Sequence, residues 1–129
     1  MTKEQTELLF KDLCARLPYG VKVKYSSYKE FITCTLQAIN PVYNTVDLWS
    51  KNACFNPVNI SKIKPYLLPL SSMTEEQSKE YHELIGGMFG TSVLINFEVL
   101  EDFFHKNHFD YRGLIPMGLA NDATGKNIY

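Results

Sequence analysis

The stretch KPYLLPLSSMTEEQ, Lys64 to Gln77, divides this chain into two kinds of sequence. Upstream of it apolar residues alternate with period two. Downstream they recur at helical spacing. Thr74 and Gln77 form a capping box, in which the Thr hydroxyl accepts from the N–H three residues on and the Gln side chain reaches back. Pro65 and Pro69 have no N–H to give to a ladder, so the residues before the box read as an edge or connector and not as a central strand. The chain therefore reads as a β-rich part joined by a proline-bearing linker to a helical part.

Working toward the start, residues 3–17 read as a helix with a second capping box at Thr2 and Gln5. Leu9, Leu13 and Leu17 fall at i, i+4 and i+8, with Phe10 and Cys14 one residue round, and Pro18 and Gly20 stop the helix. Residues 21–27 alternate, with Val21, Val23 and Tyr25 on one side and Lys22, Lys24 and Ser26 on the other. After a polar turn at 28–30, residues 31–39 give the longest strand, with Ile32, Cys34, Leu36 and Ala38 on one face. Asn40-Pro41 breaks it. Residues 44–50 give a third strand with Val46 and Leu48 inward, and Lys51-Asn52 is a tight connection. A fourth short strand falls within 53–60, interrupted at Asn56-Pro57. Ile60 and Ile63 bracket one 3₁₀ turn. Four or five such strands make a small antiparallel meander or an SH3-like partial barrel, since closing a sheet removes edges that otherwise need protection.

Working toward the end, residues 75–86 form a helix with a thin apolar stripe of Tyr81, Leu84, Ile85 and Met88, ended by Gly86-Gly87. Residues 86–95 read equally as a loop, a hinge or a short extra strand. A third helix spans 97–107 with Asn96 as N-cap. Phe97, Leu100, Phe103 and Phe104 face inward, and Glu98, Glu101, Asp102, His105 and Lys106 face out. Asp102 and Lys106 are an i,i+4 pair worth roughly 0.3 kcal/mol. Asp110 caps a last short helix that Pro116 kinks or splits. The expected class is α+β in a single domain over 1–129: N-terminal helix, β-rich part 19–64, then two or three helices in 73–119. A polar tail, 120–129, is expected to fray.

Composition excludes several classes. Hydrophobic residues make up 45% of the 129 and charged ones 21%, which is inconsistent with a disordered chain. No apolar run approaches the ~18 residues of a membrane span. The charged opening MTKEQTELLFKDL has no apolar core of a secretory signal, so a cytoplasmic protein with no membrane partner is expected. Cys14, Cys34 and Cys54 include no CxxC pair, which argues against a zinc site or disulfide framework. All three are expected on apolar faces, as inert thiols. Residues 1–64 carry nine Lys/Arg against five Asp/Glu, and residues 65–129 carry four against nine. The β-rich part is thus mildly basic and suits an acidic partner.

Three blocks, LCARLPYGVKV (13–23), IKPYLLPLSSMTEEQ (63–77) and NHFDYRGLI (107–115), together resemble a group of uncharacterised short proteins of gut Bacteroidales genomes and their phages and mobile elements. The blocks span most of the chain, in the same order. That group continues after the last block with a charged pair where this chain has Pro116-Met117, which puts the final helix in question. The resemblance implies a bacterial or phage cytoplasmic accessory protein. It carries no known activity and hence no functional residues.

One constellation has metal-ligand character. Glu101, His105 and His108 share helical spacing, with Asp110 following. Competing roles weigh against it: His105 near a helix C-terminus gains from the dipole, and Asp110 is wanted as a cap. No bound metal or cofactor is expected. No serine or cysteine sits in a nucleophile elbow, and Gly86, Gly87 and Gly90 match no phosphate-loop pattern. The expectation is a non-catalytic protein. Lys22 and Lys24 share a strand face, with Lys29, Lys62 and Lys64 near, and Tyr28, Phe31, Tyr43 and Trp49 supply aromatic surface. If Phe31, Tyr43 and Trp49 cluster in the open, they mark a surface for a protein partner, the first reading. Lysines with aromatics on a sheet also suit a weak single-stranded nucleic-acid binder, the second reading, although a pI near 6.3 is low for one. A metal-dependent enzyme is third.

Overall fold

The computed structural model describes residues 1–51, 53–88 and 96–129. Helix α1 (Lys3–Arg16) leads through a 3₁₀ turn into strands β1 (Lys22–Ser26), β2 (Phe31–Asn40), β3 (Thr45–Ser50) and β4 (Ala53–Asn59). A second 3₁₀ turn, Ile60–Lys62, opens β5 (Ile63–Leu67), and helices α2 (Glu75–Met88) and α3 (Asn96–Lys106) follow. A two-residue strand β6 (Asn121–Asp122) completes a six-stranded sheet of order β4-β3-β2-β1-β5-β6. The β1–β4 meander and the β1–β5 pair are antiparallel, and β5–β6 is parallel. The architecture is α+β, as the sequence periodicities predict.

The expected edge or connector ahead of the capping box is in part an internal strand. Residues 63–67 are a strand with neighbours on both sides, β1 and β6. Pro65 is tolerated because β6 pairs only with Tyr66 and Leu67, beyond the proline. The capping box that follows is present, with Gln77 N–H donating to Thr74 Oγ1 at 3.2 Å and Thr74 N–H to Gln77 Oε1 at 2.9 Å.

Two bulges explain other departures. In the β2–β3 ladder Leu36 faces Leu48 but Ala38 faces Asp47, so Gln37 is the extra residue. The alternation then flips, and Ile39, not Ala38, continues the inward row toward Val46. In the β3–β4 ladder Val46 faces Val58 and Leu48 faces Phe55, so Asn56-Pro57 is absorbed as a bulge and does not end the strand. The donor-less proline sits where the ladder is already interrupted.

The core has two parts. Leu9, Phe10 and Leu13 of α1 pack on the inward row Val21, Val23, Cys34, Leu36, Val46, Leu48, Val58 and Ile63, and Leu114 and Leu119 belong to the same cluster. Full burial of a side chain such as Leu13 is worth about 1.5–3 kcal/mol. A second, aromatic cluster joins Phe103, Phe104 and Phe109 to Leu68, Met73, Tyr81, Leu84 and Leu100.

Several local expectations are overturned. Cys14 and Cys54 are exposed, and only Cys34 is buried. Helix α2 runs through Gly86-Gly87 to Met88. Phe97 is exposed and His105 is buried, the reverse of the expected faces, because α3 turns His105 toward Tyr19 and Tyr111. Asp102 accepts from Tyr19 Oη at 3.1 Å, and Lys106 pairs with Glu80 of α2 at 3.1 Å. Asp110 does accept from the N–H groups of Leu114 and Ile115, but it caps a series of tight turns and no helix forms around Pro116. The polar tail is built in: Ala123 is buried, its N–H donates to Leu67 O, and Tyr129 Oη donates to Tyr66 O at 2.7 Å. Asn52 of the expected tight connection, and 89–95 of the undecided segment, lie outside the described residues.

Candidate functional site

Strand alternation builds the candidate site. With Val21, Val23, Cys34, Leu36, Val46 and Leu48 committed to the core, the intervening residues must point to the opposite face. Directly paired residues share a face, so Lys22, Thr35, Trp49 and Cys54 form one outward row. Lys64, Lys24 and Thr33 form a second, and Ser26 and Phe31 a third. None of these side chains is buried, and Phe31 is 68% and Trp49 45% exposed. Lys24 Nζ lies 4.0 Å from the centroid of the Phe31 ring, a close cation–π pair. Two open grooves mark the surface. One, of about 250 Å³, is lined by Lys24, Phe31, Lys62 and Lys64; the other, of about 420 Å³, by Lys22, Thr33, Thr35, Trp49 and Lys51.

Of the residues marked by sequence, Lys22, Lys24, Lys62, Lys64, Phe31 and Trp49 therefore share one face, with Phe31 and Trp49 in separate grooves, and Lys51 adds to them. Tyr43 does not. It stands 74% exposed at the tip of the β2–β3 hairpin, at the opposite end of β3 from Trp49. Over residues 22–64, which carry these lysines, the acids are Glu30, in the β1–β2 turn beside Phe31, and Asp47 in β3.

The metal-type constellation is dispersed among other tasks. Glu101 is exposed on α3. His105 Nε2 is 2.7 Å from Tyr111 Oη, and burial, with Arg16 nearby, lowers its pKa, the opposite of a helix-end imidazolium. His108 sits at φ 61° with its ring stacked 3.5 Å from that of Tyr129. Desolvation, then the charges of Arg16 and Lys22, hold its pKa down at about 4. The Asp110 carboxylate is occupied by two backbone N–H groups. Among the described residues no three His, Cys, Asp or Glu side chains are placed to share a metal ion.

The expected apolar faces omit a polar network in the core. Asp12 and Arg16 of α1 are fully buried and paired at 2.7 Å. Arg16 Nη2 also donates to Phe109 O at 2.6 Å, and Arg112 Nε donates to the second oxygen of Asp12 at 3.1 Å. Tyr111 lies against both guanidinium groups, 4.8 Å from that of Arg112 and 5.7 Å from that of Arg16. The signal was present, since Asp12 and Arg16 fall on the Leu9–Leu13 stripe at i+3 and i+7. Asp12 and Arg16 have no exposed surface, and the network joins the two core clusters.

Compared with protein-family models, with curated proteins and with solved structures, the chain matches none.

Proposed function

We propose that this is a non-catalytic binding protein, an accessory factor of the bacterial, phage or mobile-element kind that its three blocks resemble, acting in the cytoplasm through the outward face of its sheet. The observation that carries the reading is the gathering of Lys22, Lys24, Lys62 and Lys64 with exposed Phe31 and Trp49 on one surface that no described element covers. Lone exposed aromatics are ordinary, whereas Phe31 and Trp49 stand on a face shared with lysines, a combination that suits recognition. The strand order β4-β3-β2-β1-β5 with a 3₁₀ turn before β5 supports an SH3-like reading of the sheet. An acidic protein segment answers the charge of the face, and a nucleic acid answers both its charge and its rings.

Affinity capture from a native or infected lysate tests the reading, with the wild-type chain, a Lys24→Glu/Phe31→Ala variant and a Lys79→Glu control on α2, each with and without nuclease. The expected result is a specific partner retained by wild type and control and lost by the sheet variant. An identical partner set for all three chains overturns the reading.

A further inference from the structure

We infer that the outward sheet face binds single-stranded nucleic acid, with Phe31 and Trp49 as base-stacking platforms and Lys22, Lys24, Lys62 and Lys64 on the phosphates. This inference rests on the binding face proposed above and names its ligand. Three features carry it. The first is charge: these four lysines, with Lys51 in the adjoining groove, outnumber the acids of the same stretch, residues 22–64, which are Glu30 in the β1–β2 turn and Asp47 in β3. The second is ring presentation. Lys24 covers Phe31 at 4.0 Å while 68% of that residue stays exposed, so a base can stack beside a cation already in place.

The third feature is spacing. Trp49 sits in the row of Thr35, four residues along β2 from Phe31, so the two rings are separated by roughly 13 Å of strand. They are two separate platforms and not one merged apolar patch. An acidic protein surface answers the lysines, and meets both rings only if it also sets apolar side chains at that separation among its acids. A duplex would answer the lysines too, but its bases are already stacked and cannot lie on the rings. Unpaired bases on a flexible phosphate chain satisfy both elements, because every base has a π-face.

Trp49 is the single tryptophan of the chain, so its fluorescence reports on one of the two platforms directly. Short labelled oligothymidine and oligouridine strands, and a duplex of equal length, are titrated at low salt with anisotropy and tryptophan emission recorded together. The expected result is single-strand binding in a roughly micromolar range, quenched Trp49 emission and weaker duplex binding. Phe31→Ala then weakens single-strand binding about fivefold or more, the effect of losing one stacked base. Lys24→Gln reduces the salt slope by about 0.7. Both residues lie on the surface, and circular dichroism of each variant verifies folding.

Absence of binding and of quenching overturns the inference, as does duplex binding of equal strength that Phe31→Ala leaves unchanged. If the oligonucleotides fail while nuclease-treated capture still depends on Lys24 and Phe31, the ligand is a protein, and the binding-face reading stands without this inference. If neither assay depends on them, both fall.

Discussion

Asp12 accepts from two guanidinium groups in a place with no solvent access, which makes it the residue on which the junction of the two core clusters depends. Removing one partner of a buried ion pair leaves an uncompensated charge, at a cost of about 3–5 kcal/mol. Asp12→Ala is expected to lose stability on that scale in chemical denaturation. Arg112→Met should lose far less, because the Arg112 side chain keeps 17% exposure and Arg16 keeps its bond to Asp12. Equal losses for the two would show that the pairing is not hierarchical. At the same scale, His108 makes a pH prediction. Its pKa falls from 6.5 to about 4 on folding, so the native state holds the neutral ring. Between those values the unfolded chain binds the proton first, and stability drops as pH falls from 6.5 to 4, with no further loss from this group below 4. At 1.36 kcal/mol per unit the ceiling is roughly 3 kcal/mol, reduced because solvent reaches part of the ring. His108→Asn, which tolerates the positive φ at this position, should flatten the acid limb of a stability–pH curve relative to wild type. Parallel limbs would refute the assignment.

Among the elements, those with local causes were legible in the sequence. The Thr2–Gln5 and Thr74–Gln77 boxes, the period-two strands and the 3₁₀ turn between Ile60 and Ile63 each follow from residues within one turn of one another. Thr74→Ala should therefore destabilise the chain by about 1 kcal/mol in thermal or chemical unfolding, the usual value of an N-cap. No measurable change would mean that the start of α2 is held by its packing alone. The illegible elements depend on distant partners. Strand β5 exists because β1 lies beside it and the short β6 avoids its proline, and neither neighbour can be read from Lys64–Gln77 itself. The Gln37 bulge, which exchanges Ala38 for Ile39 in the core row, is set by the register of β3. His105 is inward because Tyr19 and Tyr111 approach it, one from each side of α3 in sequence. The candidate face was half legible for the same reason. Alternation placed Lys22 and Lys24 together, but pairing with β2, β3 and β5 decides that Phe31, Trp49 and Lys64 join them and that Tyr43 does not.

In the molecule as a whole, the outward sheet face stays open among the described residues because their packing elements gather elsewhere: α1 covers the inward row, α3 closes on α2, and residues 121–129 fasten the β5 side. Tyr129 is the anchor of that fastening. The residue as a whole is 44% exposed, yet its hydroxyl end is enclosed, which pushes its pKa up to about 12. That hydroxyl accepts from Lys22 N–H at 2.9 Å and donates to Tyr66 O at 2.7 Å, tying β1 to β5 across their shared end, while the ring covers His108. Tyr129→Phe keeps the ring and removes both bonds, so it should cost about 1–2 kcal/mol in denaturant unfolding, since two backbone groups lose their partner. The acid limb set by His108 should persist in that variant, because the stacked ring still excludes water. Tyr129→Ala should cost more and also weaken that limb, because it uncovers the imidazole and lets its folded pKa rise toward 6.5. A Tyr129→Ala protein with wild-type stability and an unchanged acid limb would show that residues 121–129 merely lie on the sheet and do not fasten it.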